Sequence, residues 1–182
     1  MAISTRKDAQ RNREAILAAA RSLFSESGDV AMLDIAKRAG VGQATVYRNF
    51  ADRDALVAAL SEEWIEELER VAADHADEPD GFFVVMRSLV DTMARFHGLV
   101  QCAHAGGEAF APLQRRLEDV IARGLKQAKA AGYVRPDLTV DDMLLLLSMI
   151  DGALAREHDP AARASTATRV LSLAIEGFST RR

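Results

Sequence analysis

Apolar residues recur at three- and four-residue spacing along almost the whole chain, and no segment shows the convincing period of two that marks a half-buried strand. Ile16, Ala19, Ala20, Leu23 and Phe24 share one face of a first helix over about 8–26, stopped by Ser27-Gly28. A short helix over about 33–39 and another over 43–49 flank Gly40-Val41-Gly42, and Asp52 is placed to cap a fourth helix that runs through Trp64 to about Ala73. The acidic, proline-bearing stretch 74–80 is a candidate domain junction. Beyond it Phe82, Met86, Leu89, Met93 and Phe96 form a stripe that ends at His97-Gly98. Gly106-Gly107 and Pro112 interrupt a short helix, and Leu113, Leu117, Val120, Ile121, Leu125 and Ala128 form a further stripe before Gly132. Two last helices, about 140–156 and 161–178, are separated by His158-Asp159-Pro160. The pattern predicts an all-α fold.

One of these helices departs from the one-sided pattern. Leu144-Leu145-Leu146-Leu147 is apolar all round, which a helix covered on one face does not need. One side is expected to bury in its own subunit. The other, with Leu144 and Leu145, pairs with the same helix of a second chain, beside the stripe Val170, Ala174, Ile175 and Phe178.

Composition supports a folded chain, with 49% hydrophobic and 27% charged residues in 182. No run of about 18 uncharged apolar residues is present, and the basic start of the chain is not followed by a signal-type hydrophobic segment, so a cytoplasmic protein without a membrane partner is expected. The lone Cys102 reads as a small core residue. The net charge of -4 argues at first against phosphate binding, but its distribution reverses that. Residues 1–53 hold nine Lys/Arg and six Asp/Glu, a net of +3, while the remainder holds 14 and 21, a net of -7. A basic end on an acidic body suits a protein that presents one end to DNA.

The segment 35–47 explains what that end does. Ala36 lets two helices approach, Gly40 tolerates a left-handed backbone between them, and Ile35, Val41 and Val46 close a small core. The outward positions are then Lys37, Arg38, Gln43, Thr45, Tyr47 and Arg48, all donors to phosphates or base edges. Arg6, Lys7, Arg11 and Arg13 form a basic arm that offers backbone or minor-groove contacts.

Across 16–60 the sequences ILAAARSLFSESG and DIAKRAGVGQATVYRNFADRDAL resemble the TetR family of regulators, with weaker likeness in GYVRPDLTVDD and VLSLAIEGF. The resemblance implies about nine helices, a homodimer on double-stranded operator DNA, and repression relieved by a small molecule. It divides the chain into a helix-turn-helix domain over 1–52 and a ligand-binding and dimerisation domain over 53–182, joined by helix 53–73. It implies that Gln43 reads a base and that Thr45, Tyr47 and Asn49 touch phosphate or groove. Arg48 reads guanine, Arg53 stands where the family's usual lysine holds a phosphate, and Lys37, Gly42 and Ala44 complete the surface. Two departures stand out: Ala31, Met32 and Leu33 replace the usual capping Ser or Thr with its polar neighbour, and Gly42 replaces the usual serine.

For the effector, Trp64, Met86, Met93, Phe96, Phe110, Met143 and Leu147 are adaptable apolar groups suited to a cavity, with His97, His104, Glu108 or Asp151 as polar anchors. His97, Cys102 and His104 lack a recognised metal-ligand spacing, so neither metal nor cofactor is expected. An enzyme using His104 with Glu108 or Asp151 as acid and base is the competing class, but no nucleophile elbow, phosphate loop or HExxH element accompanies them. A non-specific architectural DNA protein is the third class, disfavoured by the acidic body.

Overall fold

The computed structural model describes residues 2–27, 29–78, 80–105 and 110–178, with side chains throughout these save at 2–6, 104–105 and 178. Nine helices are seen among them: α1 (Ala2–Glu26), α2 (Met32–Ala39), α3 (Gln43–Asn49), α4 (Arg53–Asp74), α5 (Gly81–Arg95), α6 (His97–Ala105), α7 (Ala111–Ala130), α8 (Val140–Leu154) and α9 (Pro160–Phe178). The all-α expectation holds. The first helix begins earlier than its apolar stripe, so Lys7, Arg11 and Arg13 lie on α1 rather than on a separate arm.

The chain divides into two compact units, one of residues 1–62 with 98–110, the other of 63–97 with 111–182. The helices flanking 74–80 both contribute to the second unit, so that stretch links neighbours within it.

In the first unit α1 packs on α2 and α3. Ile16, Ala20 and Phe24 meet Ile35, Val46, Phe50 and Leu56 in a core where each is at most 3% exposed. Leu23, expected on the same face, is only half-buried. Asp52 caps α4 as the sequence suggests, its carboxylate accepting from Ala55 N–H at 2.8 Å.

In the second unit α5 packs against α7, α8 and α9, and α8 packs against α9. Phe82, Val85, Met86, Leu89, Val90, Met93 and Ala94 are all buried on α5, at the spacing of a helix covered on more than one side. Two glycines permit close approach. A Cβ on Gly81 would fall 2.1 Å from the His75 carbonyl oxygen, and one on Gly124 would fall 3.1 Å from the Phe82 ring. Glu69 and Arg116 join α4 to α7 through paired bonds of 2.9 and 2.7 Å. Arg116 thereby holds the Glu69 carboxyl below the usual range. α7 ends as expected before Gly132, whose φ of 76° needs a residue without Cβ strain.

Candidate nucleic-acid interface

The interface is built by the turn between α2 and α3. Gly40 has φ 68° and ψ 27°, a left-handed conformation that ends α2. Val41 N–H then bonds back to Ala36 O at 3.1 Å, and Gly42, with φ −68° and ψ 146°, starts α3. Ile35, Ala36 and Val46 are buried as their spacing requires, whereas Val41 sits in the turn itself and is only half-buried.

This geometry turns one face of α3 outward. Gln43, Ala44, Tyr47 and Arg48 are exposed, and Thr45 and Asn49 are half-buried. Tyr47 is 46% exposed while Phe50 is 3% exposed, so the Y-x-x-F spacing sends one ring out and the other into the core. Arg48 lies back along its own helix, donating through Nε to Ala44 O at 3.2 Å and through a terminal nitrogen to Thr45 Oγ1 at 2.9 Å. Asn49 Nδ2 donates to Thr45 O at 2.8 Å. Exposed bonds of this kind add little net stability in water.

The nearby cations fall into two groups. Lys37 meets Asp34 at 3.3 Å with both side chains more than half exposed, a weak pair that leaves its charge facing solvent. Arg38, Arg13 and Arg53 are instead held against the protein. Arg38 donates to Glu26 at 3.0 and 3.3 Å and to Ser22 Oγ at 2.8 Å, tying α2 to the end of α1. Those bonds, first from Arg38 and then from Ser22, keep the Glu26 carboxyl below its usual range. The Arg13 guanidinium sits 4.6 Å above the Phe50 ring at the end of α3, and that of Arg53 sits 5.7 Å from the Phe24 ring. Arg38 therefore ties α2 to α1 and Arg13 covers the residue that ends α3, contacts invisible in the sequence because their partners are distant along the chain.

The residues selected for an effector are only partly gathered. Met86, Met93, Met143 and Leu147 are buried in the second unit, on α5 and α8. His97 Nδ1 and Asp151 Oδ1 meet at 3.2 Å, each side chain 13% exposed. Trp64 and Phe96 are half-buried, Phe110 groups with the first unit, and the His104 side chain and Glu108 lie outside the described residues. Cys102, expected in the core, is half-buried. Among the described residues no three His, Cys, Asp or Glu side chains converge as a metal site.

On α8 and α9, Leu144, Val170, Ala174 and Ile175 are half-buried, while Leu145, Met149 and Leu173 are 61, 63 and 51% exposed. Met149 and Leu173 do not stand out in the sequence; only the helix phase reveals that Met149 follows Leu145 by one turn. The side chain of Phe178 lies outside the described set.

A family model for bacterial regulatory proteins of the tetR family matches residues 16–60, and one for the C-terminal domain of SbtR-like transcriptional regulators matches residues 78–180. The chain belongs to the TetR family. The HTH-type transcriptional regulator UidR of Escherichia coli K12 is 28% identical over 190 residues, 95% of each chain. The crystal structure of a TetR transcription regulatory protein from Mycobacterium vanbaalenii is 32% identical, with a TM-score of 0.67 over 97% of this chain and 99% of that one. For the regulator SCO0520 from Streptomyces coelicolor the figures are 29%, 0.69, 93% and 99%. TetR-family proteins are DNA-binding transcriptional regulators and not enzymes, which removes the acid–base reading of His104 with Glu108 or Asp151. Among the described residues no helix is long and apolar enough to cross a membrane.

Proposed function

We propose that this TetR-family regulator is a cytoplasmic repressor that binds a palindromic operator as a homodimer and is released by a small, mostly apolar effector. The observation that carries the reading is the outward face of α3, where Gln43, Ala44, Tyr47 and Arg48 stand exposed, with Lys37, within the basic segment 1–53. Gln43 and Arg48 read base edges, Thr45, Tyr47 and Asn49 hold the groove wall, and Lys37 and Arg53 meet phosphates. A dimer is supported by Leu145, Met149 and Leu173, too large and too exposed to leave in water together. Two reading helices about 34–36 Å apart would then enter successive major grooves.

The effector enters among Met86, Met93, Met143 and Leu147, whose flexible side chains accommodate varied shapes, with His97 and Asp151 as its polar anchor. α4 runs unbroken from Arg53 to Asp74 and belongs to both units, so a displacement near Trp64 travels along it as a rigid tilt. A dimer must fit both half-sites together, and a small tilt weakens the second contact most. Coupling of about 1–3 kcal/mol is ordinary for such a device.

The test is in vitro selection of operator sequences by the full chain, followed by titration of an effector found by thermal-shift screening against free and operator-bound protein. Operator must weaken effector binding by the same factor as effector weakens operator binding. Met86→Trp, which fills the proposed cavity, should either block release or imitate the effector. Protection of a single asymmetric site by a monomer, or equal effector affinity for both forms, overturns the reading.

A further inference from the structure

Leu33 is 46% exposed on α2, while its neighbours Met32, Ile35 and Ala36 are buried. Singly exposed leucines are common on protein surfaces; the place of this one is what distinguishes it. It stands one turn before Lys37 on the same side of α2, at the end of the helix where Ala31 supplies no capping oxygen. The other exposed side chains of the helix-turn-helix are mostly polar, among them Gln43, Tyr47, Arg48 and Lys37, with the exposed Asp34 paired to Lys37 at 3.3 Å. A second protein chain would need an apolar patch to match, and Leu33 is isolated between Met32, which is buried, and the charged Asp34. DNA offers an apolar group of the right size on a base edge, the thymine 5-methyl, within a polyanion that suits the N-terminal segment 1–53 with its net of +3.

We propose that Leu33 is a specificity residue that packs on the 5-methyl group of one thymine in each operator half-site. The proposal rests on the operator-binding reading above and adds to it a base that no polar side chain selects. Shielding one methyl from water corresponds to about fourfold in affinity per half-site, and about fifteenfold when both half-sites of a dimer lose it.

The experiment starts from the operator enriched by in vitro selection and replaces each thymine in turn with deoxyuridine, which lacks only the methyl. Binding of wild type, Leu33→Ala and Leu33→Met is measured by fluorescence anisotropy at one salt concentration. At one symmetric pair of thymines, wild type and Leu33→Met should lose about fifteenfold on deoxyuridine. Leu33→Ala should bind the thymine operator about fifteenfold more weakly than wild type and lose nothing further at that pair. Leu33 is exposed and alanine favours helix, so the variant should melt as wild type does. Discrimination of thymine from deoxyuridine that is the same in wild type and Leu33→Ala at every position overturns the role of Leu33 and leaves operator binding intact. That role is equally overturned if Leu33→Ala binds as wild type does, or loses affinity on every sequence alike. Failure to enrich any sequence overturns operator binding, and this inference with it.

Discussion

Two regions of the molecule leave large apolar side chains in water, and they differ in what surrounds them. On α2 and α3, Leu33 and Tyr47 are each 46% exposed and stand among Lys37, Gln43 and Arg48. On α8 and α9, Leu145, Met149 and Leu173 are 51–63% exposed and stand among Ser148, Gly152, Ser165, Thr168 and Ser172, with Asp141, Arg169 and Glu176 one turn away. Cations between apolar groups disfavour self-association and attract a polyanion. Small, mostly uncharged residues between apolar groups let two helices come close and bury the large ones. Exposed hydrophobicity alone is common on protein surfaces; the charge around it bears on which kind of partner it would suit.

The strongest way to break the contrast is to charge the second region. Met149→Glu with Leu173→Glu should yield monomers in sedimentation experiments and weaken operator binding by about 100-fold or more, because each half-site must then be held singly. Retention of a dimer would place the subunit contact elsewhere. Next in size is the loss of a reading group. Arg48→Ala should cost about 1–3 kcal/mol at one position of each half-site and leave other positions unaffected, as measured by competition with single-base operator variants. Arg53→Ala should lower affinity for all sequences alike and reduce the slope of log K against log salt by about one per subunit. If Arg48→Ala flattens the salt dependence and Arg53→Ala relaxes base preference, the two roles are exchanged.

The smallest effect separates how the two regions begin. Thr139 caps α8 in a reciprocal box: its hydroxyl accepts from Asp142 N–H at 3.1 Å, and the Asp142 carboxylate accepts from the Thr139 hydroxyl at 2.8 Å and from Thr139 N–H at 2.8 Å. Those bonds, the Thr139 side chain's first, hold the Asp142 carboxyl below its usual range. Its contribution is therefore present above the ordinary aspartate range, near pH 4, and is lost as pH falls through the lowered folded-state value. Thr139→Ala should lower the melting temperature by about 2–4 °C at neutral pH, and the difference from wild type should shrink in acid. Dimer mass and operator affinity should not change, since the cap lies outside both apolar regions.

Much of this was legible without a structure. Helical periodicity, a left-handed glycine between two short helices and the pattern of caps and breakers located α3 to the residue, because those signals act within a few positions of one another. Of the outward set on α3, Gln43, Tyr47 and Arg48 followed from the same period around the buried Val46, while Thr45 is half-buried and Ala44 takes the exposed place beside Gln43. Leucines on every side of α8 gave the expectation of two partners for that helix; in the structure Leu147 is buried and Leu145 is left exposed. What periodicity could not decide was anything resting on residues far apart in the chain. That Arg13 lies over Phe50, that the exposed Arg38 pairs with Glu26 and Ser22, and that His97 meets Asp151 depend on packing angles between helices, which no local pattern encodes. The same holds for exposure. Leu33 reads in the sequence as a departure from the family pattern and Met149 as one of many apolar residues on α8; only the assembled fold, by burying their neighbours, shows that both stay exposed to water.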